Sequence, residues 1–148
     1  MKLLGICVAF LGITLTACSQ DIAADKVPSV VTNAVQAKFA GATKIDWEKK
    51  DKMYEAEFTQ DSVEYTVEVD ATGKITRQKH DLTVAQLPAG IAQAITAEYK
   101  AYELDDMEQV EVAGTIFYQV ELEAPRGKKD VQLVFDANGA KSSTAYWD

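Results

Sequence analysis

The chain has 148 residues and a formal net charge of -8. Nucleic acid and anionic surfaces repel an acidic protein, which argues against a nucleic-acid-binding function. A hydrophobic content of 47% is too high for a disordered chain, and the length is sufficient for one domain with its own core.

Residues 1–17 predict a bacterial lipoprotein signal peptide. Their apolar run, Leu3 to Leu15, is shorter than the roughly 20 residues that span a bilayer. The run ends in Leu15-Thr16-Ala17-Cys18-Ser19, which resembles a lipobox and implies cleavage before Cys18 and lipidation of Cys18. Ser19 after that cysteine resembles the pattern sorted to the outer membrane. The sequence therefore predicts a domain anchored by lipid in the bacterial envelope, in the periplasm or at the cell surface. The alternative is an ordinary secretory peptide followed by a chance cysteine.

The cysteines leave no thiol for other chemistry in the mature chain. Cys7 would leave with the signal peptide, and Cys18 would carry lipid. A disulfide, a zinc site and a cysteine nucleophile are therefore not expected.

Residues 18–26 predict a polar tether, and residues 27–80 predict a first repeat. After Pro28, apolar residues recur at helical spacing: Val27, Val31, Ala34, Val35 and Phe39. Alternating residues predict strands at 44–48, 54–58 and 63–69, and the run 74–78 predicts a polar, solvent-facing edge strand.

Residues 87–148 predict a second repeat of the same plan. Its helical positions each follow their counterparts by 60 residues: Leu87, Ile91, Ala94, Ile95 and Tyr99. The segment 142–148 predicts a last strand. The fold class is α+β: a tandem repeat of a helix plus about four antiparallel strands, with the helices packed on one side of the sheet. We expect the apolar face of each helix to be buried against the apolar faces of the central strands, within a single domain, 27–148.

The sequence predicts no catalytic site. His80 is the only histidine, and its polar surroundings predict a solvated linker residue. Asp70 with Gly73, and Asp136 with Gly139, could be fragments of calcium loops, but type I turns explain both pairs without further ligands. We therefore expect a protein that is not an enzyme and has no cofactor or metal site.

Acidic residues form two notable groups. The segment Glu103 to Glu108 could bind a cation or a basic partner, or could be a solvated loop and strand edge. Glu55, Glu57, Glu64 and Glu68 are predicted to stack on the outer face of adjacent strands, where like charges repel. That face needs either a basic partner or neutralisation by lysine and arginine from the polar strand, and the sequence leaves both possibilities open.

Four aromatic residues are candidates for partner binding. Trp47 alternates with Ile45 on a strand, which favours a core position over an exposed one. One of Tyr146 and Trp147 must face outward if the chain ends in a strand. Tyr102 follows the second helix and could join them, because exposed tyrosine and tryptophan commonly anchor interfaces.

The doubled pattern resembles the PepSY-like family, whose fold is similar to that of the beta-lactamase inhibitor protein. The motifs that carry the resemblance are Val27-Pro28 to Phe39 and Leu87-Pro88 to Tyr99, each followed by a Tyr-x-x-x-[Phe/Leu] strand and an Asp-x-x-Gly turn. The resemblance implies an envelope binding or inhibitor-like module without catalysis. Met107 stands near where the first repeat has Trp47, and no disulfide is possible, so inhibition of a beta-lactamase is not carried over.

The sequence thus predicts a lipid-anchored, inhibitor-like binding module that recognises a peptidase or another envelope protein. One alternative is a structural or assembly lipoprotein of the envelope, and a weaker one is a cation-binding sensor. A concave sheet face lined with aromatic residues would favour ligand capture, whereas a uniformly charged face would favour the passive role.

Overall fold

The structure is a computed structural model that describes residues 19–148. The predicted signal peptide and Cys18 lie outside the described residues. An 8-stranded antiparallel sheet has its strands in sequence order. The strands are β1 (Ser19–Asp21), β2 (Asp46–Lys50), β3 (Met53–Gln60), β4 (Val63–Asp70), β5 (Ile75–Asp81), β6 (Glu103–Val112), β7 (Thr115–Glu123) and β8 (Val131–Asp136). The helices are α1 (Ser29–Lys38) and α2 (Ala89–Glu98), each preceded by a short 3-10 turn, Ala24–Lys26 and Val84–Gln86. The predicted α+β class with an antiparallel sheet is confirmed.

Both helices begin after a proline and end at an aromatic residue. Pro28 and Pro88 have φ of -55° and -53°, a geometry that the proline ring fixes in advance. The N–H of Phe39 donates to Val35 O, and the N–H of Tyr99 donates to Ile95 O, both at 2.8 Å. The two helices are thus built from the same local signals.

The connections around the strands repeat in the same way. Ile22 N–H donates to Trp47 O at 2.9 Å, and Leu82 N–H donates to Met107 O at 2.7 Å. In the turns after β4 and β8, Gly73 and Gly139 each donate to the carbonyl of the aspartate three residues earlier, at 3.0 Å. These matched bonds support a tandem repeat in which β5 corresponds to β1.

The described residues form two separate hydrophobic clusters, and each contains residues of one helix and of the strands that follow it. The first cluster joins Val31 and Val35 of α1 to the strand residues Trp47, Ala56, Phe58, Val67 and Val69. The second joins Ile91 and Ile95 of α2 to Met107, Val120, Leu122 and Phe135. The strand between them explains the division, because β5 offers Gln78 and His80 beside Val67 and Tyr65, where another apolar row would be needed.

Strand β5 is not the predicted edge strand. It pairs with β4 and with β6, which makes it the seam between the two repeats. His80 lies within it and not in a linker. The polar sequence misled the prediction because β5 is half-buried along its whole length and uses polar contacts to join its neighbours, such as the bond from Gln78 Nε2 to Glu111 Oε2 at 2.6 Å.

The C-terminal residues 142–148 do not form the predicted last strand. A single bridge, Phe135 with Lys141, continues the sheet after β8, and Ser142 N–H then donates to Val134 O at 2.7 Å. Beyond that point the chain crosses the sheet as irregular backbone, which we call the C-terminal strap. Within the described residues, no helix is long and apolar enough to cross a membrane.

Candidate binding surface

Strand register sorts the side chains onto two faces of the sheet. Ala56 lies opposite Trp47 and Val67, and this face carries the hydrophobic clusters. The neighbouring residue Glu55 lies opposite Glu48 and Glu68 on the other side. We call this second side the outer face, and it continues through Arg77, Lys79, Glu108 and Gln119.

Part of the outer face is neutralised within the chain. Lys50 Nζ lies 2.5 Å from Glu55 Oε1, and Arg77 Nη2 lies 2.7 Å from Glu68 Oε2. Partial burial lowers the pKa of Lys50, but the hydrogen bond and charge of Glu55 outweigh it and raise that pKa. For Glu55 and Glu68, the cations therefore come from the last residue of β2 and from β5.

Two of the four stacked glutamates, Glu57 and Glu64, make no ion pair in the described part of the chain, and both line an acidic cleft of about 400 Å³. Burial raises the pKa of Glu57, and the charges of Glu55 and Glu48 raise it further. The cleft carries six carboxylates, those of Asp46, Glu57, Glu64, Asp81, Asp106 and Glu108, against the two amines of Lys44 and Lys79.

A second carboxyl in this acidic cleft is perturbed in the same direction. Burial raises the pKa of Asp81, and the charges of Asp106, Glu64 and Glu108 add to the effect. Because crowded carboxylates repel one another, a cationic group entering the cleft would lower their pKa values and would bind favourably. The cleft can hold such a group, although acidity alone does not identify the ligand.

The C-terminal strap occupies the outer face of the second repeat. The side chain of Gln119 clamps the strap backbone: its amide donates to Trp147 O at 2.8 Å, and its carbonyl accepts from Trp147 N–H at 3.1 Å. Lys79 Nζ also donates to Trp147 O, at 3.1 Å. The guanidinium of Arg77 stacks on the Trp147 ring, 4.0 Å from its centroid.

A buried charged pair supports the strap from below. Lys79 Nζ lies 2.9 Å from Glu108 Oε1, and their side chains are only 14% and 7% exposed. Gln119 also donates to the second oxygen of Glu108. Burial strongly raises the pKa of Tyr146, and nearby carboxylates, foremost that of Glu108, raise it further. The strap thus covers a charged network that would be costly to leave without partners.

The structure does not bring the four aromatic candidates together. Trp47 is 5% exposed in the first cluster, which is the core position that its alternation favoured. Tyr102 packs at the edge of the second cluster and contacts Tyr99 edge-on at 5.6 Å. Trp147 is 5% exposed and Tyr146 is half-buried, both on the outer face. Partner binding by these residues stays a prediction.

The polar neighbours of His80 in the sequence predicted a solvated residue, whereas the structure places its side chain against an aromatic ring. Its imidazole stacks on Tyr65 with 5.5 Å between the ring centroids. Burial lowers the pKa of His80, and the charge of Glu108 partly opposes this effect. The histidine therefore has a packing role at the seam.

Lys79 and Gln119 were not singled out from the sequence, and Glu108 was noted only as part of the acidic segment Glu103 to Glu108. Lys79 stands in a polar run, and Gln119 lies between Tyr118 and Val120 as an exposed outer-face residue would. Only a sign that the strap returns over these residues could have identified them as a group. Among residues 19–148, no group of three acidic or histidine side chains is placed to hold a metal ion.

Comparisons with known proteins agree with the doubled architecture. The family model "Putative beta-lactamase-inhibitor-like, PepSY-like" matches residues 14–77 and again 64–140. A search of curated proteins found no similar sequence.

Three solved structures from Bacteroides share the fold. A protein of Bacteroides eggerthii described as one of the "putative periplasmic proteins" has a TM-score of 0.73 at 19% identity, and the match covers 78% of this chain and 85% of that protein. A DUF2874 family protein of Bacteroides uniformis has a TM-score of 0.72 at 20% identity, covering 77% and 85%. A BLIP-like protein of Bacteroides fragilis has a TM-score of 0.68 at 23% identity, covering 81% and 92%. With the family model matching in both halves, the chain belongs to the PepSY-like family.

Proposed function

We propose that the protein is a lipid-anchored, inhibitor-like binding module of the cell envelope that captures a basic segment of a peptidase or another envelope protein in the acidic cleft. The observation that carries this proposal is the uncompensated charge of the cleft. Glu57 and Glu64 make no ion pair in the described residues, and burial together with neighbouring like charges raises the pKa values of Glu57 and Asp81.

Several features support a binding role without catalysis. The family is named for its likeness to an inhibitor. Both helices contribute to the clusters on the inner side of the sheet, and we infer that they lie on that side together. This arrangement leaves the outer face of the first repeat to other molecules.

The envelope location rests on the lipobox and on the periplasmic description of a structural neighbour. We propose that Cys18 carries the anchor and that the outer membrane holds it. The mass of the amino-terminal peptide of the mature protein tests this directly. An acylated Cys18 is expected, and an unmodified amino terminus elsewhere would contradict the anchor.

One observation favours the alternative of a structural or assembly lipoprotein. The outer face is charged, and the tryptophan that lies on it, Trp147, is buried as part of the chain's own strap. A face of this kind suits a passive role unless the acidic cleft has a partner.

Capture from detergent-solubilised envelope of the source cell separates the two functions. We expect the wild-type domain to retain one protein, and Glu57→Gln with Glu64→Gln to lose it. The matched control is Glu103→Gln with Glu123→Gln, two exposed carboxylates paired across β6 and β7 outside the cleft. Equal retention of the partner by both double variants would refute the cleft as the binding site. If the wild-type domain retains no protein, the structural alternative is favoured. Turnover of an envelope substrate by the domain would refute the whole proposal.

A further inference from the structure

The two ends of the sheet differ in what they carry. Ser19 pairs with Lys50, so the chain enters β1 beside the turn between β2 and β3. Because neighbouring strands are antiparallel, the turns after β4 and β6 lie at this same end. We call it the anchor end, since Ser19 directly follows the cysteine that the proposed function lipidates.

The anchor end presents free positive charge on an otherwise acidic protein. Lys49, Lys52 and Lys74 are exposed and make no ion pair among residues 20–148. Asp51 is an exposed carboxylate in the β2–β3 turn, next to Lys52. Asp70 directs its carboxylate into its own turn, where it accepts from the N–H groups of Thr72 at 2.8 Å and Lys74 at 3.1 Å. Lysine therefore dominates what this end offers to a neighbouring surface.

Apolar side chains accompany the lysines. The described residues include three exposed large hydrophobic side chains, and two of them, Val30 and Ile116, lie at the anchor end. Val30 touches the β4–β5 turn, since a Cβ built on Gly73 would lie 2.8 Å from its side chain. Ile116 is the second residue of β7, just after the β6–β7 turn. Lysine beside exposed aliphatic residues is the composition of surfaces that sit at a lipid interface.

The acidic charge lies at the far end. Asp46 is the first residue of β2 and Asp81 is the last of β5, so the acidic cleft is remote from the anchor end. Strands of eight residues, such as β3, separate the two ends by about 26 Å at roughly 3.3 Å per residue. The Debye length at physiological salt is about 8 Å, so a membrane at the anchor end would sense the lysines and hardly the cleft.

We propose that the anchor end docks on a layer of anionic lipid headgroups and holds the acidic cleft pointing away from the membrane. This proposal rests on the lipid anchor of the proposed function and adds an orientation to it. The acyl group would keep the domain at the membrane, and Lys49, Lys52 and Lys74 would decide which end faces it. The cleft is then presented to partners across the envelope space.

The test uses the mature protein from Cys18 to Asp148, in which Cys18 is the only thiol. All buried residues of the two clusters lie at Val27 or beyond, and Ile22, which packs against the first cluster, also belongs to the mature chain, so this chain carries its own core. Coupling Cys18 to a maleimide lipid replaces the cellular anchor. Hydrogen exchange is then compared on vesicles of phosphatidylcholine alone and vesicles that also contain phosphatidylglycerol. We expect phosphatidylglycerol to protect the amides of the β2–β3 and β4–β5 turns and to leave the β3–β4 and β7–β8 loops unchanged.

Two charge-matched variants decide the cause. Lys49→Glu with Lys52→Glu and Lys74→Glu should abolish the protection. The same charge change at the far end, Arg126→Glu with Lys128→Glu and Lys129→Glu, should leave it intact. In sedimentation with the untethered Cys18→Ser protein, each lysine at the surface is expected to contribute roughly fivefold to the partition coefficient.

Equal loss in both triple variants, or protection that does not depend on phosphatidylglycerol, would overturn the proposal. The chemical tether makes this result independent of lipidation in the cell, which the mass of the Cys18 peptide reports, and of partner capture, which the cleft variants report.

Discussion

The C-terminal strap should contribute measurably to stability through one side chain. Trp147 is 5% exposed and lies against the guanidinium of Arg77. Val110 and Val134 are buried outside both hydrophobic clusters and pair with Lys79 and Gln119, the residues that bind the Trp147 backbone, so we infer that Trp147 covers them. Replacing Trp147 with alanine removes this cover while leaving the rest of the chain unchanged.

The size of the effect follows from the area involved. A buried tryptophan removes roughly 150–250 Å² from water, which at about 25 cal/mol per Å² corresponds to about 4–6 kcal/mol. The extended-chain reference overstates this value, and a terminal segment regains entropy when it detaches from the sheet. We therefore expect Trp147→Ala to lower the free energy of unfolding by about 3 kcal/mol, near the lower bound for such truncations in a closed core.

Urea unfolding followed by far-UV circular dichroism measures the change. The midpoint should fall and the slope should stay the same, with a melting temperature lower by roughly 10 °C for a domain of this size. Ser143→Ala is the control, since Ser143 lies exposed in the same strap. A loss for Trp147→Ala below about 0.5 kcal/mol would show that the strap does not hold the outer face in solution.

Three further changes probe the turns, the cleft and the clamp. Gly73→Ala should destabilise the fold by about 2 kcal/mol and Gly114→Ala by less. Both glycines have positive φ, but a Cβ at Gly73 would meet helix α1, whereas a Cβ at Gly114 would meet nothing within 4 Å. Thermal unfolding of the two variants checks this, and equal losses of stability would contradict it. The pKa of Glu57 is higher in the folded protein than its unfolded value of 4.5, so its contribution to stability is complete below pH 4.5 and is lost as pH rises through the folded pKa. Glu57→Gln should therefore reduce the loss of stability that the wild-type protein shows between about pH 4 and pH 7. An unchanged pH profile of stability would count against the charge crowding. Gln119→Glu should lower the free energy of unfolding by about 3 kcal/mol, because a carboxylate cannot donate a hydrogen bond to Glu108 or to the strap. Adding Glu108→Gln should restore part of this stability in urea unfolding. If no stability is restored, repulsion between the two carboxylates is excluded as the cause.

Periodicity predicted the elements that bury one regular face. Val31 with Val35, and Ile91 with Ile95, stand one helical turn apart, and their burial follows from that spacing alone. The alternation from Val63 to Val69 likewise matches β4. These predictions needed no knowledge of the rest of the chain.

Strand β5 escaped prediction because its surroundings come from distant sequence. A polar run beside a turn is typical of an edge strand. Here the second repeat supplies a partner strand, β6, and Gln78 bonds Glu111 across 33 positions of sequence. Nothing local distinguishes a polar strand that meets solvent from one that joins two repeats.

The candidate site was partly predictable for the same reason. Register on one face follows from alternation, so the stacking of Glu55, Glu57, Glu64 and Glu68 was correctly predicted. Which of them finds a cation depends on where Lys50 and Arg77 lie across neighbouring strands, and pattern alone left that open.

Differences between the repeats explain why only one outer face is open. Glu55 and Gln119 hold equivalent positions, opposite Glu48 and Glu108 respectively, and both are almost fully buried. An amide can donate and accept at once, so Gln119 can clamp a peptide backbone, whereas an ionised Glu55 can only accept. The second repeat therefore binds the chain's own strap. In the first repeat, Glu57 and Glu64 stay exposed, which is the condition that an acidic cleft needs if it is to receive a basic partner.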